Sequence, residues 1–309
     1  MNNINKRPIE INNLTKDYGF GRGIFDINIY VNKGEVLGFL GPNGAGKTTT
    51  IRHLLGFSVP HKGSCFINNL SCFENAKIIQ NDLGYLPGEI ALPENLTPLE
   101  FIEYMAGLRK IKDMTYTNYL INLFELNLEN KKIKLKRMAL GEKRKLAIIT
   151  AFMHDPQTLV LDEPTSGLDP IGQVTFVNFI KEEKRRGKSI LLSSHLFQEV
   201  EAVCDRISII KDGKIINECD IESIKYRDKK TFVLNFLDLF SFSNFKKEPF
   251  VISYENKDLL QIDISIEDSQ TNDLIKTLTN YQLKSFKEKK FTLEDYFMHF
   301  YDRNTKDYK

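Results

Sequence analysis

The feature that most constrains this chain is one loop, Gly41-Pro42-Asn43-Gly44-Ala45-Gly46-Lys47-Thr48, which fits GxxxxGK[ST] at every fixed position. An apolar run over residues 35–40 precedes it and reads as a buried strand; a helical pattern over residues 47–55 follows. In that setting the glycines let the backbone wind around a phosphate chain with its N–H groups turned inward. The helix start adds the positive end of its dipole. Lys47 is placed to reach β- and γ-phosphates, Thr48 to offer a hydroxyl to Mg2+, and Thr49 to continue the same helical turn. A loop of this kind requires a strand and a helix on either side of it, which points to an α/β core.

The rest of the chain agrees. Residues 9–11 and 27–31 alternate apolar and polar as half-buried strands do. Thr97-Pro98-Leu99-Glu100 combines an N-cap, a first-turn proline and a capping-box partner, and helical spacing then dominates to about residue 152. Residues 158–161 and 189–193 read as buried strands separated by a helix over 171–186. Strand and helix in alternation imply a largely parallel sheet, with residues of about 90–152 forming an inserted helical subdomain. Around 220–230 the texture changes, so a nucleotide-binding domain is expected over residues 1–222. A small α+β accessory domain is expected over 223–309, with strands at 231–237 and 259–266, a helix at 269–281 and a final helix after Thr292. That last helix has Asp295 as capping-box partner and an aromatic side of Phe291, Tyr296, Phe297, Phe300 and Tyr301, a core or dimer stripe.

A second motif completes the first. Leu159-Val160-Leu161-Asp162-Glu163 is an apolar strand that delivers two carboxylates to its C-terminal end, where ligands collect in such sheets. Asp162 suits Mg2+, and Glu163 suits the general base that polarises an attacking water. The stretch Pro164-Thr165-Ser166-Gly167-Leu168-Asp169 follows directly, and His195 closes the next strand in Leu192-Ser193-Ser194-His195.

With these residues in view, the chain resembles the ATP-binding cassette (ABC) ATPases, and more narrowly the separate ATPase subunit of antibiotic-type exporters, over residues 8–220. The resemblance implies a P-loop ABC ATPase fold that binds ATP and Mg2+, with Tyr18 stacking on adenine. Asp169 would couple the two ATP sites of a dimer, and His195 would contact the γ-phosphate. The partners implied are a separate transmembrane permease chain and a second nucleotide-binding chain, a second copy of this one. The protein would sit on the cytoplasmic face of the membrane through that permease, which docks near residues 88–108.

Two positions depart from the family pattern. Gly88 stands where a glutamine is expected, with Glu89 beside it as a substitute. In Met138-Ala139-Leu140-Gly141-Glu142, only Gly141 and the basic residues after it match the signature; Ala139 replaces a serine donor, a loss worth on the order of 3 kcal/mol in rate. These departures leave a second reading open, an ATP-binding regulatory or immunity module with weak hydrolysis. A soluble DNA-repair or translation ATPase would bring long coiled coils or two cassettes, and no heptad run is present.

Composition narrows the rest. Hydrophobic residues make up 41% and charged residues 27%, and no apolar run approaches the ~20 residues that span a bilayer. A net charge of +2 demands no nucleic-acid partner. The basic run over 131–145 lacks interleaved aromatics and reads as a solvated face. Residues 1–8 carry no signal-peptide core, and the four cysteines form no CxxC pair, as expected of reduced thiols in the cytosol.

Overall fold

The computed structural model describes residues 6–128, 133–225 and 229–303. The chain divides into two compact units, the first ending at Asp220 and the second beginning at Ile221.

The first unit opens with β1 (Ile9–Asp17), β2 (Gly23–Val31), β3 (Val36–Leu40) and α1 (Lys47–Leu54). Next come β4 (Lys62–Ile67), β5 (Leu70–Ser71), α2 (Ala76–Asp82) and β6 (Leu83–Leu86). The helices α3 (Pro98–Leu108), α4 (Thr115–Leu123) and α5 (Leu140–Phe152) follow. The unit finishes with β7 (Thr158–Asp162), α6 (Pro170–Arg185), β8 (Ser189–Ser194), α7 (Phe197–Val203), β9 (Arg206–Lys211) and β10 (Lys214–Asp220).

Its central sheet has the order β10-β9-β3-β8-β7-β6. All pairs are parallel except β9 with β10. Strands β3, β7 and β8 are buried along their whole length, as their unbroken apolar runs require. The two opening strands belong to a different sheet, antiparallel with order β2-β1-β4-β5, and each runs to nine residues. In β1 the register shifts between Ile11 and Leu14, where Asn13 has φ 49°. That bulge breaks the two-residue period, so residues 12–17 do not read as strand from their pattern. The α3 start is as its sequence predicts: the Glu100 amide donates to Thr97 Oγ1 at 3.2 Å, and the Thr97 amide to Glu100 Oε2 at 2.7 Å.

The second unit runs α8 (Ile221–Lys225), β11 (Lys229–Phe236), α9 (Leu239–Phe245), β12 (Val251–Asn256), β13 (Gln261–Glu267), α10 (Thr271–Leu278), β14 (Leu283–Lys289) and α11 (Leu293–Arg303). Its sheet is antiparallel with order β12-β13-β11-β14, the split β-α-β-β-α-β arrangement of ferredoxin-like domains. One face carries Phe232, Leu234, Phe236, Ile262, Ile264 and Ile266, covered by Phe242 and Phe245 of α9 and Leu274 and Leu278 of α10. The capping box at Thr292 and Asp295 forms, and Leu293 and Phe297 behind it are buried. The side chains of Phe300 and Tyr301 lie outside the described residues. Elements α9, β12 and β14 escape the sequence patterns. The first is a short turn of helix, the second is bulged, and the third (LKSFKEK) is a charged edge strand.

Candidate ATP site

The phosphate loop leaves β3 and turns into α1 under tight steric limits. A Cβ on Gly41 would lie 2.4 Å from the Ile210 carbonyl oxygen. Gly46 has φ 114°, and its Cβ would meet Ile24 at 2.7 Å, so both positions require glycine. The loop is also pinned from outside. The Gly213 amide donates to the Ala45 carbonyl at 3.0 Å, and the Phe25 amide donates to Gly213 O at 2.7 Å. Gly213 belongs to the Asp212-Gly213 turn joining β9 to β10, where both residues have positive φ. The sequence reading missed this turn, although an Asp-Gly pair between two apolar runs is a strong hairpin signal.

The chemical side chains converge at the ends of β7 and β8. Lys47 is buried; its Nζ donates to Gly41 O at 2.6 Å and lies 3.2 Å from Glu163 Oε1. The other Glu163 oxygen is 2.6 Å from Nδ1 of His195, so one carboxylate bridges lysine and histidine. Glu163 adopts φ 48°, held there by its amide donating to Ser193 O at 3.0 Å. Asp162 is buried, accepting from Thr48 Oγ1 at 3.0 Å on one oxygen and from the Ser193 hydroxyl on the other. These hard oxygen donors suit Mg2+.

A groove of about 480 Å3 has Lys47, Thr48 and Glu163 of these groups in its lining, whereas Asp162 and His195 stand behind it. Tyr18, half exposed, lines the same groove. Pro42, Asn43, Gly44 and Gly46 wall it together with Lys47, Thr48 and Thr49. Arg22 and Gly213 line it as well, neither singled out from sequence. Gly41 and Ala45 support the loop without lining the groove. Gly141 and Asp169 are not brought to it. A Cβ on Gly141 would meet the Gly167 carbonyl at 3.1 Å, and Asp169 caps α6 by accepting from the Gly172 amide at 2.7 Å. At Gly88 a Cβ would stand 3.3 Å from Asp162 Oδ2, so this position does lie against the Asp162 carboxylate, while Glu89 is exposed.

One expectation is corrected outright. The basic run over 131–145 is not a uniformly solvated face: Arg144 is 2% exposed. Its guanidinium donates to three carbonyls, Ser166 at 2.7 Å, Pro87 at 2.8 Å and Gly88 at 2.6 Å. It thereby ties α5 to the turn after Glu163 and to the loop after β6, and a run of charges alone gave no sign of it. Lys131 and Lys132 lie outside the described residues.

Glu199 of α7 was also not singled out. It is buried, and its Oε2 accepts from the Ser194 hydroxyl at 2.7 Å, next to His195. Thr165 binds the same carboxyl, and burial pushes its pKa up to about 7.

The order of these elements, with the phosphate loop, the Asp162-Glu163 strand and His195 on adjacent parallel strands, matches known cassettes. The family model for ABC transporters matches residues 24–166. The chain is 37% identical over 223 residues to the bacitracin transport ATP-binding protein BcrA of Bacillus licheniformis, covering 72% of each chain.

The chain belongs to the ATP-binding subunits of ABC transporters.

A second relative in this family is the probable multidrug ABC transporter ATP-binding protein YbhF of Escherichia coli (strain K12). It is 32% identical over 216 residues, which is 67% of this chain and 36% of that protein. A solved ATP-binding subunit of an ABC transporter superposes with a TM-score of 0.64 at 28% identity, covering 70% of this chain and 91% of that one. As an ABC ATPase the protein binds and hydrolyses ATP, and subunits of this kind work in pairs with a transmembrane permease. Among the described residues no helix is long and apolar enough to cross a membrane.

Proposed function

We propose that this chain is the hydrolytic engine of an exporter, and that Glu163 is its catalytic base. The observation that carries this reading is the Lys47–Glu163–His195 array at the end of the groove, beside the Thr48–Asp162 pair. Tyr18 offers a ring for adenine, and the loop over residues 41–48, with Thr49, takes the phosphates. Glu163 accepts a proton from water as the water oxygen bonds to the γ-phosphorus and the bond to the ADP oxygen breaks. His195 holds the Glu163 carboxylate from one side while Lys47 holds it from the other. Thr48 and Asp162 would hold Mg2+, which when bound would supply charge neutralisation for the phosphate oxygens.

In this reading residues 1–222 form the nucleotide-binding domain, with its helical subdomain over 90–152, and residues 223–309 form an accessory domain. Two copies pair so that Gly141 and Asp169, which stand off the groove of their own chain, complete the partner copy's site. A separate permease docks near residues 88–108 and holds the pair at the cytoplasmic face of the membrane. BcrA is named for bacitracin transport, which makes a peptide antibiotic or similar drug the cargo to test first. The intact array supports hydrolysis over a regulatory module that only binds ATP. Glu163→Gln is expected to lower ATPase turnover by at least about a hundredfold while ATP binding, measured by calorimetry, is retained. Turnover at the normal rate in that variant removes Glu163 from the role of base.

A further inference from the structure

The second unit contains a groove of about 490 Å3, as large as the ATP groove and built from its own residues. It lies on the side of the sheet opposite the hydrophobic core. Strand β13 alternates, with Ile262, Ile264 and Ile266 toward the core, so Gln261, Asp263 and Ser265 share the other face. Register then sets Tyr254 of β12 opposite Asp263, and Thr231 of β11 between Ser265 and Lys289 of β14. A register shift in β12 between Ile252 and Tyr254 re-aims the Tyr254 side of the strand.

Asp263 is the unusual member. It is only 5% exposed, yet its side chain receives a single hydrogen bond, from the Gln261 amide at 2.7 Å. No ion pair among the described residues involves it. A carboxylate shielded this far from water is costly unless a cation meets it. The cations at the groove, Lys289 and Lys290, have no carboxylate partner among the described residues either, and both are exposed. Tyr254 stands beside Asp263 on the edge strand β12, and Phe291 follows Lys290 at the lysine end. The groove thus presents a buried carboxylate with an aromatic neighbour suited to an ammonium group, and a rim of two lysines with Asp295, whose carboxylate accepts from the Thr292 amide and hydroxyl. Two strand spacings, about 10 Å, separate β13 from β14.

We infer that this groove binds a small zwitterion of amino-acid to short-peptide size, its ammonium group on Asp263 and its carboxylate on Lys289 and Lys290. The volume falls within the roughly 300–1,000 Å3 of small-molecule sites. The exposed Tyr254 ring grips the ammonium end, and the lysines select against a simple cation.

Calorimetry on the full chain tests this with four probes: glycine, trialanine, choline as cation alone and acetate as anion alone. Glycine or trialanine should bind at least tenfold more tightly than choline, and acetate should not bind; which of the two is tighter separates a free amino acid from a peptide. Asp263→Asn should abolish binding while urea unfolding of the second unit, followed by circular dichroism, stays as in the parent, which shows that this unit is folded. Tyr254→Ala, at a half-exposed position, should weaken it severalfold, and the double change Lys289→Ala with Lys290→Ala should bring the zwitterion down to the level of choline. No binding by either zwitterion, equal binding by choline, or undiminished binding in Asp263→Asn each overturns the assignment.

Discussion

The two units of this chain hold grooves of nearly equal size that differ in how their charges are placed. In the first, the groups at the strand ends are closely partnered: Lys47 and His195 both meet Glu163, and Asp162 accepts from two hydroxyls. In the second, Asp263 has a neutral amide and the two lysines have no carboxylate among the described residues. The first groove rests on a parallel sheet whose strand ends bring residues from distant parts of the chain together. The second rests on the outer face of an antiparallel sheet, where register alone sets neighbours side by side. A site made of paired groups leaves a motif in the sequence, because each partner must be of one type. A site made of single groups leaves none.

The comparison breaks most sharply if the units are unstable together rather than apart. Phe245→Ala removes a ring that packs against Phe236 at 5.3 Å and Tyr281 at 5.4 Å in the second core. It should destabilise that unit by about 3–5 kcal/mol in urea unfolding followed by circular dichroism. ATP affinity should not change; a parallel loss of ATP binding would show that the two units unfold as one.

The converse change falls on the first unit. Arg144→Ala leaves three part-buried carbonyls without this donor and should cost about 3 kcal/mol of stability, together with a fall in ATPase turnover. A variant as stable and active as the parent would mean that α5 needs no tie to the loops at Pro87 and Ser166.

Glu199 sharpens the contrast through pH. Its pKa is raised from 4.5 to about 7 in the fold, so the folded chain holds the proton more tightly than the unfolded one. The stability this gives is full below about 4.5 and is lost as pH rises through about 7. Glu199→Gln, which is always neutral, should therefore be more stable than the parent at pH 8 and indistinguishable from it at pH 4.5. Identical melting profiles at both values would show that the carboxyl is not protonated there.

The smallest effect is expected at the start of α5, where Ala139 sits at the N-cap and gives no side-chain hydrogen bond. Ala139→Ser supplies one and should add about 1 kcal/mol to stability, read as a raised melting temperature. The same change restores the hydroxyl donor that the family signature carries, so steady-state ATPase should rise with it.

The nucleotide groove was largely legible in the sequence, because glycine, lysine, threonine and paired carboxylates at fixed spacing leave little choice of chemistry. What it concealed was support. Arg144 looks like any other basic residue in a charged run until three carbonyls are seen to converge on it. Glu199 reads as an ordinary helical glutamate until Ser194 and Thr165 close over it. Gly213 carries at most the signal of an Asp-Gly turn, which went unread, and no hint that it holds the Ala45 carbonyl.

Local sequence suffices for the phosphate loop, the strand that carries Asp162 and Glu163, the capping of α3 and the change of character near residue 220, because each depends on contacts within a few residues. Tertiary structure alone decided that β1 and β2 leave the parallel sheet, that Lys47 and His195 share one carboxylate, and that Asp263 is buried on the polar face of β13. Those outcomes depend on strand register and on which distant segments meet, and neither is written in the spacing of residues along the chain.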